Sequence, residues 1–291
     1  MLGYALLAGL LYGLYFSLVA LGLNLIFGVL RLVNLAHGDF LMLGAFLAWT
    51  LEAHAHINPL IAIPIGAVVF IPLGMLLYYT MIRRLLVSRD PEMLSFILFF
   101  GLSQVIEAIA VIIFGNNQRT IPERALGLRP VTLLGQTFPA SWVAGAVTGL
   151  AAMVLVALYL YRTRLGRATR AVMANRDEAK GTGIDADRVS AIALGIGLAL
   201  AACAGVLAPF MLGTIEPDMG IRVTTISFAV VVIGALGNPL ATMVGGLTYG
   251  LGLMMMETYY ASWAAALPYL LLVLILLLRP QGVFGRRARV A

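Results

Sequence analysis

Charge, histidine, lysine and cysteine are all scarce in this sequence. Charged residues make up 11% of its 291 positions, whereas a soluble domain carries about a quarter. The one cysteine cannot form an intrachain disulfide or a cysteine metal cluster. The one lysine, Lys180, lies between alanine and glycine, so there is no Gly-x-x-x-x-Gly-Lys-Ser/Thr phosphate-binding loop. The composition therefore excludes an ordinary soluble domain and a chain that hydrolyses nucleotides through such a loop.

Apolar residues are correspondingly abundant, at 62% of the chain. They form long runs without the alternation of barrel strands, so they predict membrane-spanning helices. The expected fold is all-α, a polytopic transmembrane helix bundle with eight or nine spans, some broken by Gly or Pro. The spans are predicted near residues 4–29, 36–51, 59–82, 94–114, 141–161, 189–213, 223–258 and 262–278. The run 223–258 is about twice the usual length, and GALGNPL at Gly234–Leu240 predicts a break near Asn238 that divides it.

Glycines recur at four-residue spacing, which allows helix backbones to approach closely. The pairs are Gly9 with Gly13, Gly145 with Gly149, and Gly246 with Gly250. They predict a tightly packed bundle. The first apolar segment, Leu2–Leu30, has no positively charged start and is longer than the core of a signal sequence, so we expect it to remain as a span.

A polar segment, residues 162–188, interrupts the apolar runs and carries seven of the 19 basic and four of the 13 acidic residues. Short cytoplasmic loops are enriched in Lys and Arg. The polar segment, the arginines of residues 83–89 and the basic C-terminus are therefore predicted to be cytoplasmic. The uncharged start, Met1–Gly3, is predicted to lie outside, which requires an odd number of crossings. The loop 115–140 is predicted to be an ordered external hairpin.

Within the polar segment, Met173–Lys180 is predicted to form a short helix that Gly181 and Gly183 end. Two interpretations of this segment are open. It is either an ordinary positively charged loop or an element to which a cytoplasmic partner docks.

Five stretches of the chain carry more specific motifs. They are Gly22–Phe46 (GLNLIFGVLRLVNLAHGDFLMLGAF), Gly166–Asp185 (GRATRAVMANRDEAKGTGID), Asp187–Pro209 (DRVSAIALGIGLALAACAGVLAP), Val231–Leu251 (VVIGALGNPLATMVGGLTYGL) and Arg279–Arg286 (RPQGVFGR). In this order they resemble the LivH-like permease subunits of branched-chain amino acid ABC importers, over nearly the whole chain. Relatives often have a Gly-Gly-x-Gly-Ser turn at Gly234–Asn238 and Glu at Asp39. Both departures are conservative and bear on substrate specificity.

The resemblance implies a permease subunit of an ATP-binding cassette importer, which moves branched-chain or other hydrophobic amino acids into the cytoplasm by alternating access. It implies one transmembrane domain over residues 1–291, with a cytoplasmic coupling loop at 162–188 and an external loop at 115–140. The implied ATPase-coupling residues are Asn175, Glu178, Ala179, Gly183, Ile184 and Asp185.

The resemblance also implies partners and a location. The partners are a homologous second permease subunit, two cytoplasmic ATPase subunits, an extracytoplasmic substrate-binding protein and membrane lipid, with no nucleic acid. No cofactor or metal is expected on this chain, since ATP and Mg belong to the ATPases. The chain is not expected to be an enzyme. The expected location is the bacterial cytoplasmic (inner) membrane, as a multi-pass protein.

Polar residues within or beside the spans are the candidates for the translocation path or its gate, because polar groups at membrane depth usually face a cavity or the protein interior. The candidates are Asn34, His37, Asp39, Glu107, Gly237 and Asn238. For the sequence NLAHGDF a second interpretation is equally open. It is an interfacial turn in which Asn34 and Asp39 satisfy backbone groups.

Alternative functions remain at this point. The same family includes permeases for urea, short amides and aromatic acids. A gradient-driven secondary transporter would use ionisable residues inside the membrane as relays, and Glu107 is the one fair candidate. A membrane-embedded enzyme would need a grouped nucleophile and base or a metal cluster, and three histidines and one cysteine are not so grouped.

Overall fold

The computed structural model describes residues 1–279, which are almost entirely helical. The helices are α1 (Leu2–Leu30), α2 (His37–Ala55), α3 (Ala62–Leu77), α4 (Arg83–Leu85), α5 (Pro91–Phe114), α6 (Ala140–Arg162), α7 (Arg164–Ala174), α8 (Arg176–Gly181), α9 (Ala186–Met211), α10 (Met219–Gly234), α11 (Thr242–Tyr259) and α12 (Leu267–Leu278). A π-helical turn, Tyr78–Ile82, joins α3 to α4. The all-α prediction is confirmed. The basic stretch from residue 280 to the C-terminus, which predicts a cytoplasmic C-terminus, lies outside the described residues.

Seven of the described helices are long and apolar enough to cross a membrane, and α10 is a shorter apolar helix. The apolar run 223–258 does divide as predicted. α10 ends at Gly234, a 3-10 turn covers Pro239–Ala241, and α11 begins at Thr242. With α2, these helices correspond to the predicted apolar segments of a polytopic bundle.

The centre of the bundle is formed by α1 and α9, which are mostly buried, whereas α5 and α12 are mostly exposed. The sequences explain this division. α9 is rich in Ala and Gly, so neighbouring helices pack close to its backbone. α5 and α12 carry large apolar side chains outward, as residues facing lipid do.

The predicted glycine contacts are present where α1 meets its neighbours. A Cβ atom at Gly13 would lie 2.7 Å from the Cα of Leu247, and Gly250 lies directly against Gly13. On the other side of α1, Gly149 of α6 lies against the backbone of Leu14. A side chain at these glycines would push the helices apart, so the prediction of tight packing is confirmed.

The loop between α5 and α6 is ordered, as predicted. It contains an antiparallel hairpin of β1 (Val131–Leu133) and β2 (Gln136–Phe138), in which Val131 pairs with Phe138. Arg119 of this loop forms a β-bridge with Ile215, which lies between α9 and α10. The hairpin therefore covers the end of the bundle opposite the polar segment.

Candidate functional site

The polar segment folds into two helices rather than the single short helix that the sequence predicts. Asn175 interrupts the helix at the point where Met173–Lys180 is predicted to be continuous. Its side-chain oxygen accepts hydrogen bonds from the backbone N–H groups of Asp177 (3.0 Å) and Glu178 (3.3 Å), and its Nδ2 donates to Glu178 Oε1 (2.7 Å). This is an N-cap, so Asn175 ends α7 and starts α8. The predicted stop is confirmed, because α8 ends at Gly181 and Gly183 has φ +83°.

The inner face of α8 packs on the transmembrane helices. Ala179 is buried, and it belongs to a small apolar cluster with residues of α1, α7 and α9. The other buried members are Val29, Val172, Ala186, Val189 and Ala193. Ile184 is half-buried against the same cluster. Ala179 therefore anchors α8 to its own chain, and its part in ATPase coupling stays a prediction.

The outer face of this segment is exposed and polar. Of the coupling residues that the resemblance implies, Asn175, Glu178, Gly183 and Asp185 are exposed. Asp185 also caps α9, since its Oδ1 accepts a hydrogen bond from Arg188 N (2.9 Å). We refer to the exposed residues 175, 177, 178, 180, 183 and 185 as the α8 face.

A network of charged and polar groups ties α8 to α9, to the π-helical turn after α3 and to α4. Arg176 Nη2 lies 2.6 Å from Asp187 Oδ1 and donates to the hydroxyl of Tyr78 (3.0 Å), while Nη1 donates to Ser190 Oγ (2.8 Å). The Tyr78 hydroxyl donates to Asp187 Oδ1 (2.7 Å), and Arg83 Nε lies 3.3 Å from Asp187 Oδ2. Charge-assisted bonds of this kind are strong and directional. The network therefore links α8 directly to α9 and to the π-helical turn that follows α3.

This network is not predicted from the sequence, in which the arginines are read mainly as signals of topology. Arg176 and Tyr78 are 98 residues apart, and no local pattern links them. One signal is available: a tyrosine at the end of an apolar span, followed by arginines, and an Asp just inside the next long span.

Asn24 of α1 holds the break between α10 and α11. Its Nδ2 donates to the carbonyls of Ala235 (3.1 Å) and Asn238 (3.0 Å) and to Thr242 Oγ1 (2.8 Å). Its Oδ1 accepts from Gly237 N (2.7 Å). Gly237 has φ +75°, a conformation that other residues rarely adopt. The structure thus brings two predicted path residues, Gly237 and Asn238, onto an α1 side chain more than 210 positions away in the sequence.

The predicted path residues of NLAHGDF lie inside the protein. Asn34, His37 and Asp39 are 0%, 0% and 1% exposed. His37 Nε2 is hydrogen bonded to the Val19 carbonyl (2.8 Å). Within residues 1–279, the amide group of Asn34, His37 Nδ1 and Asp39 Oδ2 have no hydrogen-bond partner. These three residues are thus buried within the protein, and the gate and the interfacial turn both stay predictions.

Asp39 connects this cluster to two other helices. It lies against Gly220 of α10, and α2 also packs on α5, which carries Ser103 and Glu107. Glu107 is half-buried. Asp39 and Glu107 therefore lie on neighbouring helices, whereas Asn238 lies at the joint between α10 and α11.

Two cavities lie near opposite ends of α10. The proximal cavity, on the side of α8, has a volume of about 590 Å³, and residues in its wall include Gly28, Arg31, Glu92, Met173 and Gly237. The distal cavity, on the side of the hairpin, has a volume of about 600 Å³, and residues in its wall include Phe16, Arg222, Tyr249, Leu253 and Glu257. Each has the size of a small-molecule site.

The comparison with known families decides what kind of protein carries this arrangement. The family described as branched-chain amino acid transport system / permease component matches residues 5–277. The chain belongs to this family. The predicted resemblance is thereby confirmed, and the permease is a multi-pass membrane protein of a transport system.

Several permeases are similar to it over most of its length. The high-affinity branched-chain amino acid transport system permease protein LivH of Escherichia coli (strain K12) is 28% identical over 96% of this chain and 94% of its own. BraD of Pseudomonas aeruginosa is 27% identical over the same shares. LivM of Salmonella typhimurium is 23% identical over 92% of this chain and 67% of its own. These relatives are transport permeases, not enzymes. No solved structure matches the chain.

Proposed function

We propose that this permease is the membrane-spanning subunit of an ATP-binding cassette importer, which moves branched-chain or other hydrophobic amino acids into the cytoplasm by alternating access. The observation that carries the proposal is the α8 face, an exposed polar surface that is fixed to α9 and to the π-helical turn after α3 through Arg176, Asp187 and Tyr78. A lever of this kind suits an importer whose energy comes from a partner.

The partners follow from the same features. The sequence holds no nucleotide-binding lysine loop, so ATP and Mg bind on two cytoplasmic ATPase subunits that contact the α8 face. The relatives include both LivH and LivM permeases, which supports pairing with a second, homologous permease. A substrate-binding protein delivers the amino acid on the other side.

The basic residues of the polar segment support a cytoplasmic position for α8, with the bundle in a bacterial inner membrane. The proximal cavity is then cytoplasmic, and the distal cavity, the hairpin and the N-terminus are extracytoplasmic. This orientation follows the positive-inside pattern and leaves the hairpin end of the bundle for the binding protein.

The transport cycle consists of alternate opening of the two cavities. Closure of the ATPases moves α8, and the Arg176 network carries that movement to α9 and to the π-helical turn after α3. The joint between α10 and α11, held by Asn24 on Gly237 and Asn238, lies beside the proximal cavity and serves as its gate. The polar atoms of Asn34, His37 and Asp39 that have no partner among the described residues, and the half-buried Glu107, gain partners when α2 shifts against α5 and α10.

Reconstituted transport tests this function. The permease is co-expressed with the products of neighbouring genes, purified, and placed in proteoliposomes with ATP inside and binding protein outside. We expect uptake of radiolabelled leucine that requires ATP hydrolysis. Glu178→Lys should reduce the ATPase that co-purifies, whereas Gln136→Lys on the hairpin should not.

Transport without an ATPase would contradict the proposal. If the permease purifies alone and transports without ATP, the importer proposal is wrong, and a gradient-driven transporter replaces it. A ligand screen of the binding protein separates leucine, isoleucine and valine from urea, short amides and aromatic acids.

A further inference from the structure

The distal cavity combines two opposite charges with an apolar wall. Arg222 stands in the first turns of α10, and Glu257 stands near the end of α11. Both side chains line the same cavity, yet they do not form an ion pair with each other. Among the described residues, both ion pairs involve Asp187. The two charges therefore border an open space rather than neutralise each other.

The wall between these charges is suited to an aliphatic group. Phe16 of α1, Ile226 of α10 and Leu253 of α11 line the same space. Phe16 is held in place by edge-to-face packing on Tyr249, with ring centroids 4.7 Å apart. A rigid apolar wall next to charged groups is typical of sites that bind small amphipathic molecules.

Two tyrosines line the distal cavity together with Glu257. They are Tyr249 of α11 and Tyr269 of α12. Phenols orient a ligand by hydrogen bonding without adding charge. The Glu257 side of the cavity thus favours a cation with several N–H donors.

We propose that the distal cavity is a binding site for a zwitterionic aliphatic α-amino acid. Arg222 binds the carboxylate, Glu257 and the surrounding hydroxyls bind the ammonium group, and the aliphatic side chain lies on Phe16, Ile226 and Leu253. The inference rests on the proposed import function and deepens it, because it gives the permease its own selection step after delivery by the binding protein.

Direct binding tests the site without the binding protein. Radiolabelled leucine is added at millimolar concentration to the purified complex of permease and partner subunits, and bound leucine is measured by equilibrium dialysis. Competitors lack one charge each: leucine amide lacks the carboxylate, and 4-methylpentanoate lacks the ammonium group. A hydrogen bond to a charged group contributes about a factor of ten or more to binding, so wild type should favour leucine over each competitor by at least about tenfold.

The substitutions have separate signatures. Arg222→Gln should remove the preference for leucine over leucine amide and leave the preference over 4-methylpentanoate. Glu257→Gln should do the reverse. Arg222→Lys should restore part of the first preference, and Arg124→Gln, an exposed arginine of the hairpin loop, should behave like wild type. A merely structural role of either residue would weaken all three ligands together.

The outcomes also separate this inference from the proposed function. If wild type shows ATP-dependent uptake but no saturable binding of leucine to the complex, the site is refuted and the importer stands. The site is also refuted if both substitutions leave the preferences unchanged, or change only the affinity for the binding protein or for a zwitterionic lipid such as phosphatidylethanolamine. If ATP-dependent uptake itself is absent, the proposed function is refuted first.

Discussion

Replacing Asn24 with alanine should release the joint between α10 and α11. Asn24 is completely buried and makes four hydrogen bonds to this joint. The carbonyls of Ala235 and Asn238 keep other partners, since they also accept from Asn238 N and Ala241 N. The Gly237 N–H has Asn24 as its acceptor and would be left without one.

The expected cost follows from these bonds. An unsatisfied buried N–H costs about 1–3 kcal/mol, and each further lost hydrogen bond costs about 1 kcal/mol. Because the two carbonyls keep other hydrogen-bond partners, the free energy of unfolding should fall by about 2–4 kcal/mol in total. At about 2 °C per kcal/mol for a large domain, the unfolding temperature should fall by about 4 °C or more.

The assay is thermal unfolding of the purified complex in detergent, followed by ATP-dependent uptake in proteoliposomes. Asn117→Ala, at an exposed position of the hairpin loop, is the matched control. Asn24→Asp should be at least as harmful as Asn24→Ala, because a carboxylate would face the carbonyls that the amide now donates to. If Asn24→Ala unfolds at the temperature of the control and transports normally, the role of Asn24 at this joint is wrong.

Three further predictions concern other parts of the chain. Asp187→Asn should reduce leucine uptake per ATP hydrolysed at least about fivefold while the ATPases still co-purify, because it weakens the ion pairs that hold α8. The control Asp177→Asn, on the α8 face, keeps those ion pairs and should leave this ratio unchanged. Glu178→Lys should lower the amount of ATPase retained during purification without changing the unfolding temperature of the permease. Gly13→Leu should prevent α1 from packing on α11 and abolish a stable monodisperse protein in size-exclusion chromatography, whereas Gly101→Leu, which has open space around it, should be tolerated. Normal behaviour of the first variant in any of these pairs would contradict its assignment.

Local sequence was sufficient to predict several features of the fold. The dipeptide Asn238-Pro239 between glycines marks the end of α10, because proline cannot continue a helix and glycine weakens one. Glycines at four-residue spacing mark the contact of α1 with α11. Apolar runs and glycine spacing are local features of the sequence, so the helices and close contacts that they indicate can be predicted without a structure.

Contacts between distant segments were not readable in this way. Asn24 meets residues more than 210 positions away, and nothing in its own surroundings identifies them. The inward position of Ala179 depends on where α8 packs, and the Asn175 cap sets the start of that helix. For NLAHGDF, the sequence is compatible with both a gate and an interfacial turn. The complete burial of Asn34 and His37 decides between these interpretations only in part. It places them inside the protein, and their part in gating stays a prediction.

Cross-linking from the α8 face tests the central claim most directly. Cys203 is the only cysteine, so Cys203→Ser gives a background for single cysteines at Glu178→Cys and at Gln136→Cys on the hairpin. We expect that a bifunctional thiol and amine reagent joins position 178, and not position 136, to an ATPase subunit, and that ATP binding changes the yield. The claim is contradicted if position 178 cross-links to no ATPase in a complex that hydrolyses ATP during transport, or if position 136 does so instead.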